Sequence, residues 1–98
     1  MTTPTLTLQR GQTGGFLINM GFNITGGSWE ILENGLKTDG TVSNAPSFTI
    51  TDAVAGLSTM RWSPAVTDNF KPGVYIFRCR INLPADEAIP LTFRLRVL

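Results

Sequence analysis

Along most of this 98-residue chain apolar and polar residues alternate with a period of two, and nowhere do apolar residues recur at helical spacing beyond roughly one turn. The alternating runs are short and lie between clusters of Gly, Pro, Asn and Asp, residues that supply the backbone angles of turns. They predict strands over TLTLQ (5–9), FLINM (16–20), a stretch from Ser28 to Leu32, SFTIT (47–51) and LSTMRWS (57–63), followed by two longer runs at the end of the chain. RGQTGG, ENG, TDG and TDAVAG read as the turns between them. About seven short strands at this spacing predict an all-β antiparallel sandwich. SPAVTDNFK, between Trp62 and Pro72, has no alternation, and Pro64 and Pro72 confine it to a loop with one short helical turn. Phe70 is placed to plug the core from that loop. With no linker, repeat or low-complexity segment, residues 1–98 are expected to form one domain around one core.

The penultimate run places Tyr75, Phe77, Cys79, Ile81 and Leu83 on one face and Val74, Ile76, Arg78, Arg80 and Asn82 on the other. If PADEAIP (84–90) is the loop and Leu83 faces Leu91, core-facing pairs are Ile81 with Phe93, Cys79 with Leu95 and Phe77 with Val97. Outward pairs are then Asn82 with Thr92, Arg80 with Arg94 and Arg78 with Arg96. A slip by one residue would turn the arginines inward, where an unpaired charge costs several kcal/mol, roughly 3 to 5. Even the preferred register sets like charges opposite each other, at a cost of up to about 1 kcal/mol per pair. Something is therefore expected to lie over Arg78, Arg80, Arg94 and Arg96. One source is an acid of the same chain, Glu30 and then Glu33, if their strand lies beside 74–83. The other is a partner subunit bringing carboxylates or carbonyls to this face. The predicted core is Trp29, Ile31, Phe48, Ile50, Met60, Trp62, Tyr75, Phe77, Cys79, Ile81, Phe93 and Leu95.

Composition sharpens the picture. Charged residues are only 15% of the chain, and half of its eight Lys and Arg are those four arginines. A net charge of +1 leaves no global basic field, so neither nucleic acid nor an anionic membrane is an expected partner. Cys79 is the single cysteine, so no intrachain disulfide is possible, and its place among alternating apolar residues makes it a core side chain. MTTPTLTLQR lacks the basic-then-apolar pattern of a signal peptide, which suits synthesis in a cytoplasm. There is no histidine, hence no Ser-His-Asp or Cys-His unit and no histidine metal ligand. Asp39, Asp52, Asp68, Asp86 and Glu87 fall in predicted turns, where short polar side chains serve local hydrogen bonds. No enzymatic activity, cofactor, metal or small-molecule substrate is expected. Trp29 and Trp62 alternate as core aromatics rather than as an open platform for sugars or bases.

The order of the motifs LQRGQTGGFLINM, NITGGSWEIL, TDG, FTITDAVAGLSTMRWS, KPGVYIFRCRI and LTFRLRVL resembles the immunoglobulin-like N-terminal domain of upper baseplate proteins of tailed bacteriophages and related small virion proteins. The matching pieces are the turn Arg10 to Thr13, the turn Ile24 to Gly27, the connection Ile50 to Gly56 and the step Pro72 to Tyr75. Gln12 stands where that family has an acid. The resemblance spans nearly the whole chain and implies an immunoglobulin-like β-sandwich. It also implies a structural role in a phage virion (tail or baseplate, fibre base, or capsid decoration), with many copies docking to other virion subunits. The expected docking residues are Arg78, Arg80, Arg94 and Arg96. The alternative is an adhesion module that binds the host surface or a carbohydrate through its loops and an exposed tryptophan.

Overall fold

The computed structural model describes residues 4–39 and 43–98. The first three residues and Gly40, the glycine of the expected TDG turn, lie outside that description. Among the described residues seven strands and one short helix follow in the order β1 (Thr5–Leu8), β2 (Gly14–Asn19), β3 (Ser28–Asn34), β4 (Ser47–Asp52), β5 (Leu57–Trp62), α1 (Pro64–Thr67), β6 (Gly73–Leu83) and β7 (Glu87–Val97). They form a four-stranded sheet, β1-β7-β6-β3, and a three-stranded sheet, β2-β5-β4, in an immunoglobulin-like sandwich. All pairings are antiparallel except that of β1 with β7, which is parallel and runs from Thr5 beside Arg94 to Leu8 beside Val97. The period-two pattern specifies which face is buried, but not the direction of a neighbouring strand, so this one parallel pair escapes the sequence reading.

Side chains of both sheets meet in one core. Trp62 lies at its centre, with Phe77 of β6, Phe16 of β2 and Phe70 of the β5–β6 loop packed edge-on at ring distances of 5.9, 6.2 and 6.3 Å. Such edge-to-face contacts set the electropositive ring edge against the electron-rich face of the next ring. The indole N–H, which would be costly to bury unpaired, donates to the Asn44 carbonyl at 3.0 Å. Met60, Trp62, Phe77, Cys79, Ile81, Phe93 and Leu95 are buried as expected, and so is Phe70. Trp29, Ile31, Phe48, Ile50 and Tyr75 are half-buried. Four of these five sit on β3 and β4, the strands at one edge of each sheet, where the sandwich is open along its side. Trp29 stacks on Phe48 across that seam at 5.3 Å and donates its N–H to Ser58 Oγ at 2.9 Å. Tyr75 is held at the start of β6, its hydroxyl donating to the carbonyls of Lys71 and Pro72 at 2.9 and 3.3 Å, the tyrosine corner of immunoglobulin-like sandwiches. Ile24 and Leu36 are also buried, although they lie in loops where alternation gives no signal.

The terminal hairpin differs from the expected one. The connection is not 84–90 but the tight turn Pro84-Ala85-Asp86, and β7 begins at Glu87. Leu83 faces Glu87, not Leu91. The core-facing pairs are Ile81 with Ile89, Cys79 with Leu91, Phe77 with Phe93 and Tyr75 with Leu95. Two features hide this from the sequence. Ala85 and Asp86 both take left-handed backbone angles, φ 67° and 59°, with no glycine to announce them. Pro90, read as a loop residue, sits inside β7 beyond the stretch that β1 covers, where β7 is an edge and a missing N–H is tolerated. The displacement is an even number of residues, so every side chain keeps its predicted face.

At the end of the sandwich that carries the β6–β7 turn, the β2–β3 and β4–β5 loops lock together. Met20 N–H donates to Gly56 O at 2.9 Å and Ile24 N–H to Ala53 O at 2.8 Å. Gly56 has φ 81°, and a Cβ there would run into the Phe22 carbonyl oxygen. Both constraints demand glycine. Gly56→Ala is expected to destabilise the fold by about 2 kcal/mol or more, combining left-handed strain of roughly 1 to 2 kcal/mol with the displaced loop. The urea midpoint checks this: it falls with the denaturant slope unchanged.

Candidate docking face

The outer face of the β1-β7-β6-β3 sheet is assembled by register. On the β6–β7 hairpin, Val74 faces Arg96, Ile76 faces Arg94, Arg78 faces Thr92, Arg80 faces Pro90 and Asn82 faces Ala88. The expected oppositions of Arg80 with Arg94 and of Arg78 with Arg96 are absent, because the turn is shorter than expected and each β7 residue pairs four positions nearer the start of β6. All four arginines nonetheless share this face, at staggered positions. β1 flanks it with Thr5 beside Arg94 and Thr7 beside Arg96. β3 flanks the other side with Glu30 beside Arg80 and Glu33 beside Arg78. A β-bulge between Ile31 and Glu33 inserts Leu32 as an extra residue. Regular alternation would have turned Glu33 inward; the bulge keeps it outside, next to Leu32, which is 41% exposed.

The charges on this face are only partly matched within the chain. Arg80 Nε donates to Glu30 Oε2 at 2.6 Å, and Asn82 Nδ2 donates to the same oxygen at 3.1 Å. The Asn82 amide and the Arg80 guanidinium together hold the Glu30 carboxyl below its ordinary value of 4.5. Among the described residues the only other ion pair is Lys71 with Asp39, at 3.6 Å. Among the described residues, Arg78, Arg94 and Arg96 therefore have no carboxylate at ion-pair distance. Around them Val74 and Ile76 are 59% and 41% exposed. The sequence placed both apolar residues outward, but nothing in it distinguished them from residues that a neighbouring loop would cover.

Cys79 and Trp62 belong to the core, and Trp29 packs against it. Cys79 is fully buried, and desolvation pushes its thiol up to about 11, the reverse of what a nucleophile needs. Trp62 is buried, and Trp29 is half-buried, with one ring face stacked on Phe48 and its N–H held by Ser58. Among the described residues no three His, Cys, Asp or Glu side chains gather where they could hold a metal ion. Compared with protein-family models and with curated proteins, the chain matches none.

Two measurements check these assignments. Carbon-detected NMR titration is expected to give Glu30 a midpoint below 4.5, and Asn82→Ala or Arg80→Gln is expected to raise it. The sign follows from linkage: a depressed carboxyl favours the folded state above the unfolded value, and that contribution disappears as pH falls through the folded midpoint. For Cys79, labelling by a thiol reagent at pH 8 is expected only at the rate at which the protein opens, accelerating with urea in step with unfolding.

Proposed function

We propose that this chain is a non-catalytic structural domain of a tailed-phage virion that docks to other virion subunits through the outer face of its β1-β7-β6-β3 sheet. The observation that carries the docking reading is the set of Arg78, Arg94 and Arg96, unpaired among the described residues and interleaved with exposed Val74 and Ile76 on one broad sheet face. Exposed apolar area supplies the driving force for association, and arginine suits its surroundings because a planar guanidinium binds carboxylates or carbonyls bidentately and sheds its hydration readily. The assignment to a virion is supported by the order of the turn motifs. Arg10 to Thr13 spans the β1–β2 turn, Ile24 to Gly27 leads into β3, Ile50 to Gly56 joins β4 to β5, and Pro72 to Tyr75 opens β6. No reaction, cofactor or small-molecule substrate enters this reading.

The test is a pair of variants scored in assembled particles. Arg94→Gln with Arg96→Gln is expected to leave the thermal transition within about 1 kcal/mol of the parent, as for other exposed substitutions, while incorporation into particles drops at least tenfold. Arg80→Gln, whose partner Glu30 lies in the same chain, is expected to incorporate nearly as well as the parent. Full incorporation of the Arg94/Arg96 variant would place the docking surface elsewhere.

A further inference from the structure

Among the described strands at the margins of the two sheets, β2 has the longest open edge without an interruption. β5 pairs with it on one side, and no strand pairs with it on the other. Met20 N–H donates to Gly56 O, and these two residues continue the β2–β5 register. Backbone groups alternate sides along a strand, so Gly14, Phe16 and Ile18 turn theirs to β5, while Gly15, Leu17 and Asn19 turn theirs to the open edge. No other group among the described residues takes up those three N–H groups. The remaining margins are short or broken. β1 has four residues, β3 and β4 carry register irregularities, and Pro90, which lacks an N–H, lies in the part of β7 that β1 leaves uncovered. β3, β4 and β7 also bear Glu30, Glu33, Asp52 and Glu87, whereas no residue of β1 or β2 is charged. At the centre of the open edge Leu17 is 66% exposed, more than any other large apolar side chain in a described strand.

We infer that two copies of this chain pair β2 against β2, antiparallel, about a two-fold axis at Leu17. Every pairing follows from that axis: Leu17 faces Leu17 of the second copy, Gly15 faces Asn19, and Phe16 faces Ile18. Residues that point their backbone groups outward then face residues that do the same, so the open N–H and C=O groups of Gly15, Leu17 and Asn19 are all hydrogen-bonded. The side chains fit as well. On the outer face the two exposed leucines cover each other, and Gly15, whose Cβ position has nothing within 4 Å, leaves room for Asn19. On the inner face half-buried Phe16 meets Ile18, an aromatic and β-branched pair that extends both cores. A charged margin turned on itself would bring like charges together across the axis. The absence of charge from β1 and β2 is therefore what a second copy requires and what a partner of another sequence would not. The pairing joins the β2-β5-β4 sheets of the two copies into one six-stranded sheet and closes with two-fold symmetry. It leaves the arginine face of the other sheet free and does not depend on the docking reading.

Sedimentation velocity of the full chain over a concentration series tests the association, and cysteine cross-linking reads its register. Each variant is first shown to fold by its thermal transition. The parent is expected to be a monomer–dimer equilibrium that changes little with salt and stops at two copies. Leu17→Lys, which sets two ammonium groups opposite each other, is expected to associate at least about tenfold more weakly. Arg94→Gln with Arg96→Gln is expected to dimerise like the parent. Because Cys79 is buried, an introduced cysteine is the one accessible thiol. Leu17→Cys is expected to form a disulfide-linked dimer on mild oxidation, since hydrogen-bonded antiparallel partners have Cα atoms about 5.5 Å apart, within disulfide range. Gly15→Cys or Asn19→Cys alone places the two thiols four strand positions apart, roughly 14 Å, and is expected not to cross-link; a mixture of the two is expected to do so. The inference is overturned by a parent that stays monomeric at its highest soluble concentration, by a Leu17→Lys variant that dimerises like the parent, or by loss of the dimer in the Arg94/Arg96 variant. It is equally overturned if Leu17→Cys fails to cross-link or Gly15→Cys cross-links alone.

Discussion

The position of Trp62 constrains most of this sandwich. One indole at the end of β5 is closed in by aromatic rings from β2, β6 and the β5–β6 loop, so both sheets and a connection are tied to the same side chain. Its N–H must be satisfied in a place water does not reach, and the acceptor is the Asn44 carbonyl in the β3–β4 connection. Asn44 is fixed in turn, its amide donating to Leu36 O at 2.7 Å and its carbonyl also accepting from Asn34 Nδ2 at 2.9 Å. Leu36 completes the circuit by burying its side chain in the core and donating its own N–H to Asn34 Oδ1 at 3.1 Å. A single buried polar atom thus sets the path of a loop that no alternation pattern could place. With no disulfide possible, packing and this hydrogen-bond chain are what hold the two sheets in register.

How far the fold was legible follows from the kind of signal involved. Period two identifies strands and their inner faces robustly, because burying the wrong face of any strand costs several side chains at once. The seven strands, the short helical turn after Pro64 and the inward set from Tyr75 to Ile81 were therefore readable. Edge position was not readable, and it is edge position that leaves Trp29 and Phe48 half-buried. Nor was the β6–β7 turn, because Ala85 and Asp86 adopt φ values that usually require glycine or asparagine, and a turn without those residues is silent in sequence. The resulting error of register preserved inside and outside but misplaced every cross-strand partner.

That error bears directly on the candidate site. With arginine opposite arginine, the face would hold paired repulsions needing relief from outside. In the observed register each arginine faces Val74, Ile76, Thr92 or Pro90, and the like charges are staggered. Repulsion therefore ceases to be the argument for a partner. What replaces it is an asymmetry: Arg80 is satisfied by Glu30 within the chain, while Arg78, Arg94 and Arg96 remain open among exposed apolar residues. The sequence put all four arginines on one outer face, but only the register separates the internally matched Arg80 from the other three.

The bulge on β3 shows the same face being kept in a particular state. Without the extra residue, Glu33 would alternate inward toward Phe77 and the core, a burial no partner there would compensate. With it, Glu33 stands beside Arg78, and Asn34 takes the inward place beside Phe77 and reaches the Asn44 carbonyl. One local irregularity therefore links the buried Asn34–Asn44–Trp62 hydrogen bonds to the composition of the outer face. Leu32, outward in either arrangement, is exposed. It adds apolar area to the flank of a sheet face that already exposes Val74 and Ile76, and on a protein with so few charges that area favours association over continued contact with water.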